Sequence, residues 1–246
     1  MKESEQKSLI IEIGKRLWTR GFVAANDGNI SVRINSNEIL ITPTGVSKGF
    51  MTPEMILKLD LNGEPITKHP FYKPSSETKM HLEIYRQRED IQAVVHAHPP
   101  YATSFAVAGI APNSCVLPEA VLTLGAVPIA PYGTPSTQEI PESIRSFVDQ
   151  TDAILLANHG GLTMGENLLT ACYRMETLEH ASQITFLAMQ MGRVNVIPQD
   201  EIDKLMEVRR QMKIPGRIIV PGSEPVRINE AMLEAIANRV AEKLRK

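Results

Sequence analysis

Apolar residues recur three and four positions apart over residues 4–20, at Leu9, Ile10, Ile13 and Leu17, and the run stops at Gly21. That spacing predicts an amphipathic helix with one face on a core. Short β-type runs follow at 30–34 and 38–41, joined by Asn35, Ser36 and Asn37, which tolerate turn backbone, so the pair predicts a hairpin. A third strand is expected over 56–61, ending at Asn62-Gly63. A polar loop through Lys68-His69-Pro70 and Lys73-Pro74 then leads into a helix over 76–88. From there strand and helix alternate: strand 93–98, helix 100–108, strand 126–130, helix 138–148 and strand 153–157. Asn167 has the chemistry of a cap for a long helix to about residue 191, and 201–212 reads as another helix. Such alternation predicts an α/β domain with helices covering a central sheet.

The pattern breaks over residues 214–226, where three prolines and two glycines fall in thirteen positions. Beyond it, Ile228, Met232, Leu233, Ile236, Val240 and Leu244 share one helical face, opposite Glu234, Arg239, Glu242 and Lys246. The expected organisation is a body over 1–213, a Pro/Gly linker over 214–227 and an amphipathic helix over 228–246. That tail suits the groove of a partner, such as the shell of a bacterial microcompartment, or equally a face of its own subunit or a neighbour.

A length of 246 residues with 43% hydrophobic content supports one substantial core. Lys and Arg total 26 against 28 for Asp and Glu, a formal net charge of −2. That balance provides no field for nucleic acid or an anionic membrane, so an anionic small molecule has to be held locally. No stretch approaches the roughly 20 apolar residues of a membrane span, and the charged N-terminus lacks a secretory signal, so a soluble, cytosolic protein is expected. Cys115 and Cys172 are the only cysteines, with no disulfide framework or CxxC spacing, and read as thiols.

In Val94-Val95-His96-Ala97-His98, positions i and i+2 of a strand point to one face, so His96 and His98 can present two imidazoles to one ion. His159 follows the apolar run 153–157, again at a strand end. Three neutral imidazoles suit zinc and leave a position open for water or substrate. On spacing alone the same pattern also fits two unconnected histidines at a strand end and a third in a turn. His69, His81 and His180 have no partner at ligand spacing and read as structural. Gly28-Asn29, Thr44-Gly45 and Ser75-Ser76 are rich in backbone amides and hydroxyls, and Ser75-Ser76 falls where a helix begins, which favours an anion. Taken singly, the first two also read as turns and the third as a cap. Glu77, in the first turn of that helix, suits the helix dipole, and near a metal it could serve as fourth ligand and acid/base.

Six segments in order carry a resemblance: Gly28-Asn29-Ile30-Ser31, Ile41-Thr42-Pro43-Thr44-Gly45, Pro74-Ser75-Ser76-Glu77, Val94-Val95-His96-Ala97-His98, Ala130-Pro131-Tyr132 and Asn158-His159-Gly160. Together they resemble the class II aldolase/adducin family over about residues 5–192, the order and spacing carrying the specificity. The resemblance implies a three-layer α/β/α sandwich around a mixed, largely antiparallel sheet, in a homotetramer with active sites between subunits. It implies His96, His98 and His159 as zinc ligands. Gly28, Asn29, Thr44, Gly45, Ser75 and Ser76 fall on its phosphate-binding positions, and Glu77 on its catalytic acid/base and resting fourth ligand.

The reaction implied is cleavage of a ketose 1-phosphate to dihydroxyacetone phosphate and an aldehyde such as lactaldehyde, with Glu77 moving the proton. Glu77, where the family's epimerases carry Asp, points to cleavage without epimerisation. Leu117 stands where the family's sugar-phosphate aldolases place a tyrosine that handles the aldehyde oxygen, by an ungapped count from Ala130-Pro131-Tyr132. Glu119 and Tyr132 are alternative groups for that role. Other branches imply decarboxylation of a 3-oxo acid phosphate or dehydration of a methylthioribulose phosphate, and the adducin branch a non-catalytic assembly module.

Overall fold

The computed structural model describes residues 2–112 and 114–222; the proposed amphipathic tail, 228–246, and the end of the Pro/Gly stretch lie outside them. The strands are β1 (Asn29–Arg33), β2 (Glu38–Ile41), β3 (Leu57–Asp60), β4 (Ala93–Ala97), β5 (Ile129–Ala130), β6 (Ala153–Leu156) and β7 (Gly160–Gly165). The helices are α1 (Glu3–Thr19), α2 (Thr78–Gln87), α3 (Pro100–Ala108), α4 (Pro118–Thr123), α5 (Glu139–Val148), α6 (Leu168–Gln190) and α7 (Gln199–Gln211).

All seven strands form one sheet in the order β3-β2-β1-β4-β7-β6-β5. Every pairing is antiparallel except β5 with β6. β4 is buried throughout because both its faces are covered. Ala93, Val95 and Ala97 pack into a core with Ile10, Ile13 and Leu17 of α1, Phe105 of α3 and Leu178 of α6. Val94 points the other way, into a second core with Met80 and Ile84 of α2 and Ile140 and Ile144 of α5. The same alternation splits β6, with Leu155 in the first core and Ile154 in the second. The result is the expected three-layer sandwich with a mixed, largely antiparallel sheet. No helix among the described residues is long and apolar enough to cross a membrane.

Most elements expected from periodicity are present. β1 and β2 form the hairpin, with Ser31 opposite Ile41, and Asn167 caps α6 by accepting Thr170 N–H on Oδ1 at 2.8 Å. Three differences matter. β7 was not expected, because its Gly160-Gly161 start reads as a turn. The strand expected over 126–130 shortens to β5, since Gly125 and Ala126 bridge to Ile219 instead. α2 begins at Thr78, so Glu77 occupies its N-cap position and Ser75-Ser76 form the turn before it. The described part of the Pro/Gly stretch lies against the body: Asp152 N–H donates to Arg217 O at 3.0 Å, and Ala126 N–H to Ile219 O at 2.8 Å.

Candidate active site

The strand register sets the centre of the site. His96, near the end of β4, lies directly opposite Asn29 on β1 and Leu162 on β7. Its side chain occupies the α2 face of the sheet, as Val94 does, and it is fully buried. His98 follows two residues on. The β6–β7 turn brings in His159, with Asn158 in the left-handed conformation (φ 57°) that asparagine adopts more readily than most residues. A Cβ on Gly160 would stand 2.5 Å from Ala97 O and 2.6 Å from His98 Cδ2, so only glycine lets this turn close against the end of β4. Gly28 serves the opposite side: its φ is +70°, and a Cβ there would meet His96 O at 2.8 Å.

These backbones gather the three imidazoles edge to face, with ring centroids 4.7 to 5.1 Å apart. One ligand nitrogen from each lies within 4.8 Å of the others. His96 Nε2 and His98 Nε2 are 3.1 Å apart, close to the roughly 3.3 Å that tetrahedral coordination at Zn–N distances implies. His96 Nδ1 lies 2.9 Å from Gly161 O, which only accepts, so the proton is assigned to Nδ1 and the Nε2 lone pair faces the centre. Glu77 closes the group from α2, with Oε2 3.3 Å from His96 Nε2 and Oε1 3.0 Å from His159 Nε2. Glu77 Oε1 and His159 Nδ1 are buried without a hydrogen bond. Convergent imidazoles with a carboxylate and unsatisfied buried polar atoms are a donor set that a divalent cation fits.

The electrostatics agree with that use. Burial pushes His96 down to about 3 against the attraction of Glu77, and it lowers His98 as well, with His159 nearby adding to the effect. Both are therefore neutral at pH 7, the form that binds metal. Burial works to raise the Glu77 carboxyl, but the imidazoles of His96 and His159 and the Asn29 amide outweigh it and hold the group well below the usual carboxylate range. Glu77 is thus an ionised carboxylate aimed at the imidazoles.

The three segments expected to hold phosphate converge beside this centre. Asn29 Nδ2 donates to Glu77 Oε2 at 2.8 Å. Thr44 N–H donates to Lys73 O at 3.0 Å and Ser75 N–H to Thr42 O at 3.3 Å, which lays 42–44 alongside 73–75. Ser75 Oγ accepts Glu77 N–H at 3.3 Å. Gly45, at φ +71°, has open space where a side chain would start, and Ser76 is exposed.

Two residues escaped the sequence reading. Lys48 is buried, and its Nζ donates to Asn26 O at 3.0 Å and Val46 O at 2.7 Å, tying the loop before Asn29 to the loop after β2. Its signal was only a lysine four residues after Thr44. His81, read as structural, accompanies Glu77 at i+4 on α2 and contacts Asn29. His69 instead accepts the N–H groups of Phe71 and Tyr72 within its own loop, and His180 is exposed.

Leu117 packs against the first core, on the α1–α6 side of the sheet. Glu119 lines a hollow of about 780 Å³ with Arg16, Arg20, Tyr173, Glu176 and His180. Tyr132 is exposed.

Residues 8–186 match the sequence profile of the Class II Aldolase and Adducin N-terminal domain. The L-fuculose phosphate aldolase of Methanococcus maripaludis is 37% identical over 177 residues, which cover 72% of this chain and 94% of that one. The 3-oxo-tetronate 4-phosphate decarboxylase of Haemophilus influenzae is 31% identical over 209 residues, covering 83% and 98%. Among solved structures, an L-fuculose 1-phosphate aldolase superposes with a TM-score of 0.77 at 32% identity, covering 85% of this chain and 98% of that one. With the sandwich fold, the three-histidine cluster and this match over most of its length, the chain belongs to the class II aldolase and adducin N-terminal domain family.

Proposed function

We propose that the chain is a zinc-dependent aldolase that cleaves a ketose 1-phosphate of the L-fuculose 1-phosphate type into dihydroxyacetone phosphate and a short aldehyde. The observation that carries the reading is Glu77: a buried carboxylate reaching His96 Nε2 and His159 Nε2 while held by Asn29. Zinc held by His96, His98 and His159, with Glu77 as resting fourth ligand, would supply Lewis acidity to the substrate's carbonyl and hydroxyl oxygens. Gly28, Asn29, Thr44, Gly45, Ser75 and Ser76 receive the phosphate through amides and hydroxyls. Glu77, freed from its resting position as a carboxylate, would take up the proton that the C4 hydroxyl gives up as the C3–C4 bond breaks and pass it to the carbon left electron-rich, and would run the same transfer in reverse in the synthetic direction. A homotetramer with the sites between subunits belongs to the same reading.

The similarity to the 3-oxo-tetronate 4-phosphate decarboxylase of Haemophilus influenzae favours a second reading. A 3-oxo acid 4-phosphate that loses carbon dioxide leaves no aldehyde oxygen to handle, which agrees with Leu117 packing into the first core. The test loads the protein with zinc and supplies L-fuculose 1-phosphate and 3-oxo-tetronate 4-phosphate separately. Dihydroxyacetone phosphate from the first, abolished by chelation, supports the aldolase. Carbon dioxide from the second, with no cleavage of the first, replaces it with the decarboxylase. Absence of stoichiometric metal from the purified protein would favour an assembly module instead.

A further inference from the structure

Behind Glu77 runs a chain of buried polar side chains of which the proposed chemistry uses only the first, Asn29. His81 Nε2 lies 2.5 Å from Asn29 Oδ1, and His81 Nδ1 lies 2.6 Å from Ser31 Oγ. Ser31 Oγ in turn lies 2.8 Å from the Tyr85 hydroxyl. Asn29, Ser31, His81 and Tyr85 are all 3% exposed or less. Two strand positions on one face of β1 thus meet two positions of α2, four residues apart on one side of the helix.

The proton positions follow from the partners. An ionised Glu77 only accepts, so the Asn29 group 2.8 Å from it is Nδ2, and Oδ1 faces His81. An amide oxygen only accepts, so His81 Nε2 carries the proton and Nδ1 accepts from the Ser31 hydroxyl. Ser31 Oγ is then left to accept from Tyr85. Burial supports each assignment: it lowers His81 to about 4, keeping one proton on the ring, and raises Tyr85 well above the usual tyrosine range, keeping its hydroxyl a donor. All four donors therefore point the same way, from Tyr85 towards the carboxylate.

We propose that His81 is a positioning residue: through a fixed Nε2–H tautomer, set by Ser31 and Tyr85, it locks the Asn29 carboxamide with its nitrogen towards Glu77 and so fixes the direction of that carboxylate. Without the His81 donor, the buried Asn29 Oδ1 loses its partner and the amide is held at one end only, by Glu77, so that it can swing off the line on which it now meets the carboxylate. The proposal rests on the reading of Glu77 as metal ligand and proton carrier. Asn29, one hydrogen bond behind Glu77, is a partner of the kind that carries about 10- to 100-fold in metal affinity or activity, and His81 acts through it.

The experiment has two arms. Nitrogen-15 NMR of the metal-free wild type reads the His81 tautomer between about pH 5 and 8. A protonated Nε2 and a bare Nδ1 throughout are expected; a proton on Nδ1, or a ring that titrates with an ordinary midpoint, overturns the proposal. The second arm compares His81→Phe, His81→Gln and Ser31→Ala for zinc affinity by chelator competition and for turnover of the ketose phosphate. His81→Phe is expected to lose about 10-fold or more in zinc affinity and in kcat with KM nearly unchanged. His81→Gln, which keeps a donor towards Asn29, should recover most of both, and Ser31→Ala should fall between them. Wild-type zinc affinity in folded His81→Phe, or equal losses in His81→Gln, overturns it; if His81→Phe fails to fold, the Ser31→Ala and His81→Gln values and the tautomer decide. Should wild type cleave no ketose phosphate, the function is wrong while tautomer and zinc affinity still judge the positioning role.

Discussion

His96 is a base buried in its neutral form, and that has a thermodynamic consequence. In the unfolded chain it takes up a proton near its ordinary 6.5, whereas in the fold it resists down to about 3. Between those values the unfolded state binds more protons, so stability falls as pH falls. His81, lowered to about 4, acts in the same direction. Glu77, ionised in the fold below its ordinary 4.5, adds a loss at the acid end of the interval. Metal-free protein should therefore unfold at progressively lower temperature from about pH 6.5 to about pH 4, and His96→Leu should lose less over that interval. Thermal melts of the two metal-free proteins at matched pH check this, and parallel slopes would contradict it. His96 and His98 could be paired from their spacing, because strand alternation is local. The link from His81 to Asn29 spans 52 positions, and only the register of β1 against β4 and the seating of α2 create it.

At the scale of elements, the loops around the centre are held by Lys48. Its charge is partly suppressed by burial, which lowers it to about 8, and both of its hydrogen bonds go to backbone carbonyls. Lys48→Met keeps the aliphatic stem but leaves Asn26 O and Val46 O without that donor, so the two loops are free to separate. KM for the phosphorylated substrate should rise about tenfold, the equivalent of losing one hydrogen bond to a charged group, while zinc content stays at the wild-type level. Steady-state kinetics with metal analysis check it; an unchanged KM would sink the role. Elements with a clear period, such as α1 and α5, were legible because one buried face repeats in the sequence, and α6 was legible from its Asn167 cap. β7 was not, since Gly160-Gly161 and Gly165 bracket only Leu162, Thr163 and Met164, and its pairing with β4 is a tertiary fact. α4 has six residues beginning at Pro118, too few to show a period. The start of α2 was misplaced by two residues because Ser75 closes a turn with Thr78 that local propensity does not distinguish from a helical turn.

Across the molecule, Asp152 joins parts that are far apart in the chain. Its carboxylate lies 2.9 Å from Arg88 Nη2 and 3.1 Å from Arg174 Nη1, and it accepts Arg217 N–H at 3.1 Å. With Asp152, Arg88 and Arg174 all buried, one group fastens the end of α2, the start of β6, α6 and the stretch after α7. Removing it leaves the buried Arg174 guanidinium without a carboxylate, while Arg88 keeps Asp90, so Asp152→Ala should cost about 3 kcal/mol in urea denaturation. A loss within the range of surface substitutions would show that the arginines find other acceptors. The histidines themselves stand elsewhere, on β4 and at the entrance to β7, with strands on both sides. Their arrangement is written into the backbone of the sheet: Gly160 sets one approach, Gly28 the other, and Gly161 O the His96 tautomer. Such a centre owes its shape to the fold and not to a bound ion. On the proposed reading, a cell starved of the metal would hold the protein as a folded reserve, and renewed supply would restore activity at the speed of ion capture, with no new synthesis or refolding.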